Sequence, residues 1–80
     1  VAYLVQLEVE ALDRGGLLSD LTRVLSDYGV NILSASLNTS GDQVAGGRFS
    51  FELADLGHLN AVLAALRRVD GVFEAVRLSD

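Results

Sequence analysis

Apolar and polar side chains alternate over the first twelve positions. Val1, Tyr3, Val5, Leu7, Val9 and Ala11 fall on one side, and Gln6, Glu8 and Glu10 on the other. A period of two is that of a half-buried strand. Asp13-Arg14-Gly15-Gly16 breaks the pattern as a turn. Leu17, Leu18, Leu21, Val24, Leu25 and Tyr28 then follow helical spacing, with Ser19, Asp20, Arg23, Ser26 and Asp27 opposite. Arg23 stands three residues after Asp20 and four before Asp27, within reach of an intrahelical ion pair with either. Gly29 is placed to end this helix in a left-handed conformation.

Alternation returns from Val30 to Ser40, with Leu33, Ala35 and Leu37 on one face and Ile32, Ser34 and Ser36 on the other. Ser40-Gly41-Asp42 reads as a hairpin loop. Ala45, Gly47, Phe49, Phe51 and Leu53 then alternate with Arg48, Ser50 and Glu52. The paired glycines Gly46 and Gly47 point to a bulge or a close approach within this strand. Asp55 is a good helix N-cap, because its carboxylate can accept orphan amide hydrogens. Leu56, Leu59, Val62, Leu63, Leu66 and Val69 form a second apolar stripe, Gly71 stops it, and Val72 to Leu78 is a last strand.

The order β-α-β-β-α-β, with one apolar face per helix, requires both helices on one side of a single sheet. Right-handed crossovers then give a ferredoxin-like α+β fold, a four-stranded antiparallel sheet of order 4-1-3-2. The second strand lies at an edge, with Ser34, Ser36 and Asn38 in its outer row. An exposed edge in a small domain invites pairing with a second copy.

At 80 residues there is room for one small core. The absence of cysteine removes disulfides, thiolate nucleophiles and thiolate zinc ligands. Eleven acids against six bases, all arginine, give a net charge of -5, the wrong sign for an autonomous binder of nucleic acid or anionic membrane. No apolar run approaches the ~18–20 residues that span a bilayer. With no Met and Val1 first, residues 1–80 are expected to be one domain excised from a longer protein.

Little in the chain offers catalysis. The single histidine, His58, falls in the first turn of a helix, where a solvated role is the expectation. Asp13, Asp20 and Asp27 recur every seven residues. However, Asp20 and Asp27 lie ~10 Å apart along a helix and cannot share one hard cation. Neither glycine pair has the spacing of a phosphate loop. Arg67 and Arg68 suit the negative end of the second helix. Phe49 and Phe51 align with the core rather than with an RNA-stacking face. No metal and no cofactor are expected.

The informative feature is the turn Asp13-Arg14-Gly15-Gly16-Leu17-Leu18. A strand ends, glycines permit close approach, and the amide hydrogens of a helix start can receive an anion such as a carboxylate. Asn31 offers a donor and an acceptor. In such a fold the helix start and the start of the second strand can lie near each other. A zwitterionic amino acid would fit there, its ammonium near Asp13 or Asn31 and its side chain on Leu17, Leu18 and Ile32. The same residues also have a plain structural reading, in which Asp13 begins the turn, the glycines tighten it and Asn31 is an edge-strand residue.

The turn, followed by Tyr28-Gly29-Val30-Asn31-Ile32, resembles an ACT domain across essentially the whole chain. The family typically carries a D/N-x-P/x-G-x-L turn and then G-V-N-I. Gly15 here stands where the family commonly has proline, which leaves the turn less rigid. Leu12-Asp13-Arg14, Leu17 to Thr22, Val30-Asn31-Ile32, Arg48 to Glu52 and His58-Leu59 most resemble the C-terminal ACT domain of RelA/SpoT-type (p)ppGpp synthetase/hydrolases.

That resemblance implies a non-catalytic, cytoplasmic regulatory module of the stringent response. It implies a homodimer with an amino acid at the interface, held by Asp13, Arg14, Gly15, Gly16, Leu17, Leu18, Asn31 and Ile32. Valine, isoleucine or leucine is favoured, because Ala11 replaces a polar position that would suit serine. Ribosome or tRNA contact is expected only within a full-length parent. Two alternatives stay open: a ligand-free docking module for ribosome, tRNA or neighbouring domains, and a regulatory ACT domain of an amino-acid biosynthetic enzyme.

Overall fold

The computed structural model describes residues 2–78. Its elements run β1 (Tyr3–Leu12), α1 (Leu17–Asp27), β2 (Asn31–Thr39), β3 (Val44–Leu53), α2 (Leu59–Arg67) and β4 (Val72–Arg77). The sheet order is β2-β3-β1-β4 with every neighbouring pair antiparallel, the expected ferredoxin-like arrangement. Val5, Leu7, Val9 and Ala11 of β1 and Ala45, Phe49, Phe51 and Leu53 of β3 form one buried face. Leu17, Leu21 and Leu25 of α1 and Leu59, Val62, Leu63 and Leu66 of α2 close over it in a single core. Each fully buried Val, Leu or Phe side chain among them contributes roughly 1.5–3 kcal/mol of burial.

Several sequence expectations shift in the fold. Val1 lies outside the described residues. Tyr3 alternates with the inward row yet is 44% exposed, because it pairs with Leu53 at the last rung of β1 and β3. On α1 only the i, i+4, i+8 stripe faces the sheet, so Leu18 and Tyr28 are exposed and Val24 is partly buried. Arg23 makes no ion pair with Asp20 or Asp27; Asp20 pairs with Arg14 instead. Gly29 takes a positive φ of 71° after α1, as expected.

The largest correction concerns β2. Its register against β3 shifts between Ile32 and Ser34, so Leu33 is an extra residue. The bulge changes parity: Ile32, Ala35 and Leu37 oppose Phe51, Phe49 and Gly47 on the core side, while Leu33 is 53% exposed. Ser34, Ser36 and Asn38 keep their outer positions. A second bulge in the β1–β4 pairing isolates Phe73, 61% exposed. Gly46 and Gly47 mark no bulge; they sit in continuous register, with Gly47 closely approached by the Phe49 ring.

Asp55 caps as expected, its carboxylate accepting the Gly57 amide at 2.8 Å. The chain first makes one 3-10 turn, Leu56–His58, and α2 proper starts at Leu59, leaving Leu56 and His58 exposed. Arg67 does more than face a helix dipole. Its Nε and Nη2 donate to the Ala75 carbonyl at 3.2 and 2.9 Å, which joins α2 to β4.

Candidate functional site

The β1–α1 turn is held at both ends by backbone bonds. The Leu12 amide donates to the Gly71 carbonyl and the Asp13 amide to the Gln43 carbonyl, each at 2.8 Å. The turn therefore rests between the α2–β4 connection and the β2–β3 hairpin. Gly16 occupies the N-cap of α1 at φ 78°, and no side chain caps the helix there. A residue other than glycine would be strained in this left-handed conformation. The first-turn amide hydrogens thus lack a side-chain acceptor, the condition under which an external anion is favoured.

Arg14 crosses this turn. Its Nη2 donates to Asp20 Oδ2 at 2.8 Å, its Nε to the Asp70 carbonyl at 2.9 Å and its Nη1 to the Gly15 carbonyl at 3.0 Å. All three bonds are internal to the domain. Asp13 and Leu18 are exposed, whereas Leu17 is 1% exposed and belongs to the core. Leu17 anchors the helix rather than lining an open wall.

Asn31 and Ile32 are not beside the turn in one copy of the chain. Asn31 opposes Glu52, which opposes Leu4, while the turn follows Leu12. Eight residues of strand put the two places about 26 Å apart. The reason is topological: α1 starts at one end of the sheet and delivers the chain to the other, where β2 begins. At that end Asn31 Nδ2 donates to Glu52 Oε1 at 2.9 Å, and Ile32 is partly buried against the core.

Sequence reasoning missed the neighbours of the turn across the helical face. α1 and the α2–β4 connection flank an open cleft lined by Asp20, Arg23, Val24, Val69 and Asp70. No spacing in the sequence joins Arg14 to Asp70, 56 positions away. No group of three or more His, Cys, Asp or Glu side chains poised for a metal occurs among the described residues. No helix among them is long and apolar enough to cross a membrane.

The family model for the ACT domain matches residues 1–77. This chain belongs to the ACT domain family. A GTP pyrophosphokinase of Streptomyces coelicolor is 57% identical to this ACT domain over 77 residues, 96% of the chain and 9% of that protein. A bifunctional (p)ppGpp synthase/hydrolase RelA of Mycobacterium tuberculosis is 56% identical over 77 residues, 96% of the chain and 10% of that protein. The chain thus spans about a tenth of the length of these curated relatives. The crystal structure of the ACT domain from GTP pyrophosphokinase of Chlorobium tepidum matches with a TM-score of 0.84 at 26% identity. That match covers 98% of this ACT domain and 100% of the other chain.

Proposed function

We propose that this ACT domain is the non-catalytic regulatory module of a cytoplasmic, bifunctional (p)ppGpp synthetase/hydrolase, and that it senses a branched-chain amino acid between two copies. The observation that carries the parent assignment is the 57% identity to a GTP pyrophosphokinase over 96% of the chain. The coding sequence upstream of Val1 tests it, with hydrolase and synthetase domains as the expected finding. An amino-acid biosynthetic domain there would move this ACT domain to the other metabolic context.

The ligand reading draws support from the uncapped start of α1 and from the geometry of an antiparallel pair. Asn31 opens β2 and Thr39 closes it at the level of Ala45, beside the turn end of the sheet. Two copies paired antiparallel along β2 would bring Asn31 of one to the level of the Gly15–Gly16 turn of the other. The carboxylate would then sit on the amide hydrogens of one copy and the ammonium near Asn31 of its mate. Regulation can only equal the ligand's differential affinity for the two arrangements of the parent. At ~0.8 kcal/mol per buried methylene, valine should exceed alanine by about tenfold.

An amide NMR titration with valine, isoleucine and leucine, against serine and alanine, tests this reading. Saturable shifts at Gly15, Gly16, Leu18 and Asn31 are expected for branched-chain ligands alone, and silence at those amides in a folded dimer sinks it. The second reading, a ligand-free docking module for ribosome, tRNA or a neighbouring domain, is favoured by the internal partners that Arg14 and Asn31 already hold. It predicts the silent result.

A further inference from the structure

Both helices close over one side of the sheet, so its other side is uncovered in a single copy. The charges on that open side are unequal. Its rows carry Glu8 and Glu10 on β1, Glu52 on β3 and Glu74 on β4, against Arg48 alone among the described residues. Two of these carboxylates are occupied: Glu8 pairs with Arg48 at 3.3 Å, and Glu52 accepts from Asn31 at 2.9 Å. Glu10 and Glu74 hold no side-chain partner among the described residues, yet they stand directly opposite each other across β1 and β4. Side chains so placed have Cβ atoms about 4.5–5.5 Å apart, and like charges there destabilise a sheet.

The surroundings of the pair suit a long cationic side chain. Gly46 is the other cross-strand neighbour of Glu10, and a Cβ there would meet nothing within 4 Å. Leu12, 41% exposed, lies two residues beyond Glu10, and Val76, 37% exposed, two residues beyond Glu74. Because the strands are antiparallel, these apolar side chains flank the carboxylates on opposite sides, each about 7 Å along its strand. Arginine and lysine lay their stems on such apolar surface while the charged head meets a polar group. A second copy on this face would set carboxylates against carboxylates, and a nucleic acid would set phosphates against them. Two carboxylates supply too few oxygens for a hard divalent cation.

We propose that the open sheet face, centred on Glu10 and Glu74, is a docking surface for a basic protein segment in which cationic and apolar residues alternate. The free domain carries the repulsion of the glutamate pair, and a cation of the partner relieves it on docking. Glu10, Leu12, Glu74 and Val76 are not among the residues of the amino-acid reading, so either can fail alone.

The probes are an alternating arginine–leucine hexapeptide, an arginine–serine hexapeptide of equal charge and a single-stranded oligouridylate. Each is titrated into the 80-residue chain and followed by amide NMR. The arginine–leucine peptide is expected to give saturable shifts at Glu10, Gly46, Glu74 and Val76. It should bind about tenfold tighter than arginine–serine, because its leucines cover Leu12 and Val76. Glu10→Gln should weaken it about tenfold and also move the urea midpoint later, since the opposed charges are gone. Asp27→Asn removes the same charge from the exposed side of α1 and should leave binding unchanged. Equal weakening by the two variants, or equal binding of the two peptides, reduces the effect to net charge and overturns the proposal. Oligouridylate binding at the same amides, peptide shifts centred on the helical side, or silence throughout also overturns it.

Discussion

Arg14 shows how one side chain can serve several parts of a fold. Its guanidinium meets an α1 carboxylate, the carbonyl of Asp70 and its own turn, so it links segments far apart in the chain. Its side chain is 23% exposed and that of Asp20 is 39% exposed, so solvent weakens the ion pair and the carbonyl bond carries much of the effect. Arg14→Ala should lower unfolding stability by about 1–2 kcal/mol, read as an earlier urea midpoint. Arg14→Lys should recover little, because an ammonium cannot reproduce the fork. The two adjacent glycines of β3 offer a sharper contrast. A Cβ on Gly47 would stand 3.0 Å from the Phe49 ring and 3.3 Å from Leu37, whereas one on Gly46 meets nothing within 4 Å. Gly47→Ala should cost about 1–3 kcal/mol by overpacking. Gly46→Ala should be neutral or stabilise by about 0.5 kcal/mol, because glycine weakens a strand. Equal midpoints for the two variants would refute the close approach. Alternation along β3 already puts Gly47 on the inward row; only the fold shows Phe49 and Leu37 closing over it while the space above Gly46 stays open.

Among the elements, the β2–β3 hairpin carries a pH dependence. The Asp42 carboxyl is held below its ordinary range, first by the Ser40 hydroxyl that donates to it and then by the Val44 amide. A carboxylate with a lowered folded value adds stability above its unfolded value and loses it as pH falls through the folded one. The loop should therefore loosen only in acid, below the usual carboxylate range. The expected sign is faster Val44 amide exchange, corrected for intrinsic pH effects, as Asp42 protonates. Asp42→Asn should flatten that response, and an unchanged profile in the variant would remove Asp42 as its cause. The loop was evident from Ser40-Gly41-Asp42, yet the residue with positive φ is Gln43, at 67°, rather than Gly41. Strand β2 carries the same lesson. Alternation located the strand, but it assumes one residue per rung, and the bulge at Leu33 breaks that assumption and brings Ile32 to the core side.

For the whole molecule, the antiparallel order puts the β1–α1 turn and Asn31 at opposite ends of one sheet. If the ligand joins two copies there, binding and self-association must strengthen each other by the same factor. Sedimentation should therefore show valine shifting the chain toward dimer and serine leaving it unchanged. A dimer constant indifferent to valine would separate ligand from interface. By itself the sequence determined the order of the elements, the inward rows of β1 and β3, the Asp55 cap and the membership that the turn and the Gly29-Val30-Asn31-Ile32 run suggested. Those features follow from the two- and 3.6-residue periods and from local backbone chemistry, which act over neighbouring positions. Only the tertiary structure decided the partner of Arg14, the parity of β2, the burial of Leu17 and the distance between the turn and Asn31. Each depends on which segments meet across the sheet and the helices, and pairing through space leaves no fixed spacing along the chain.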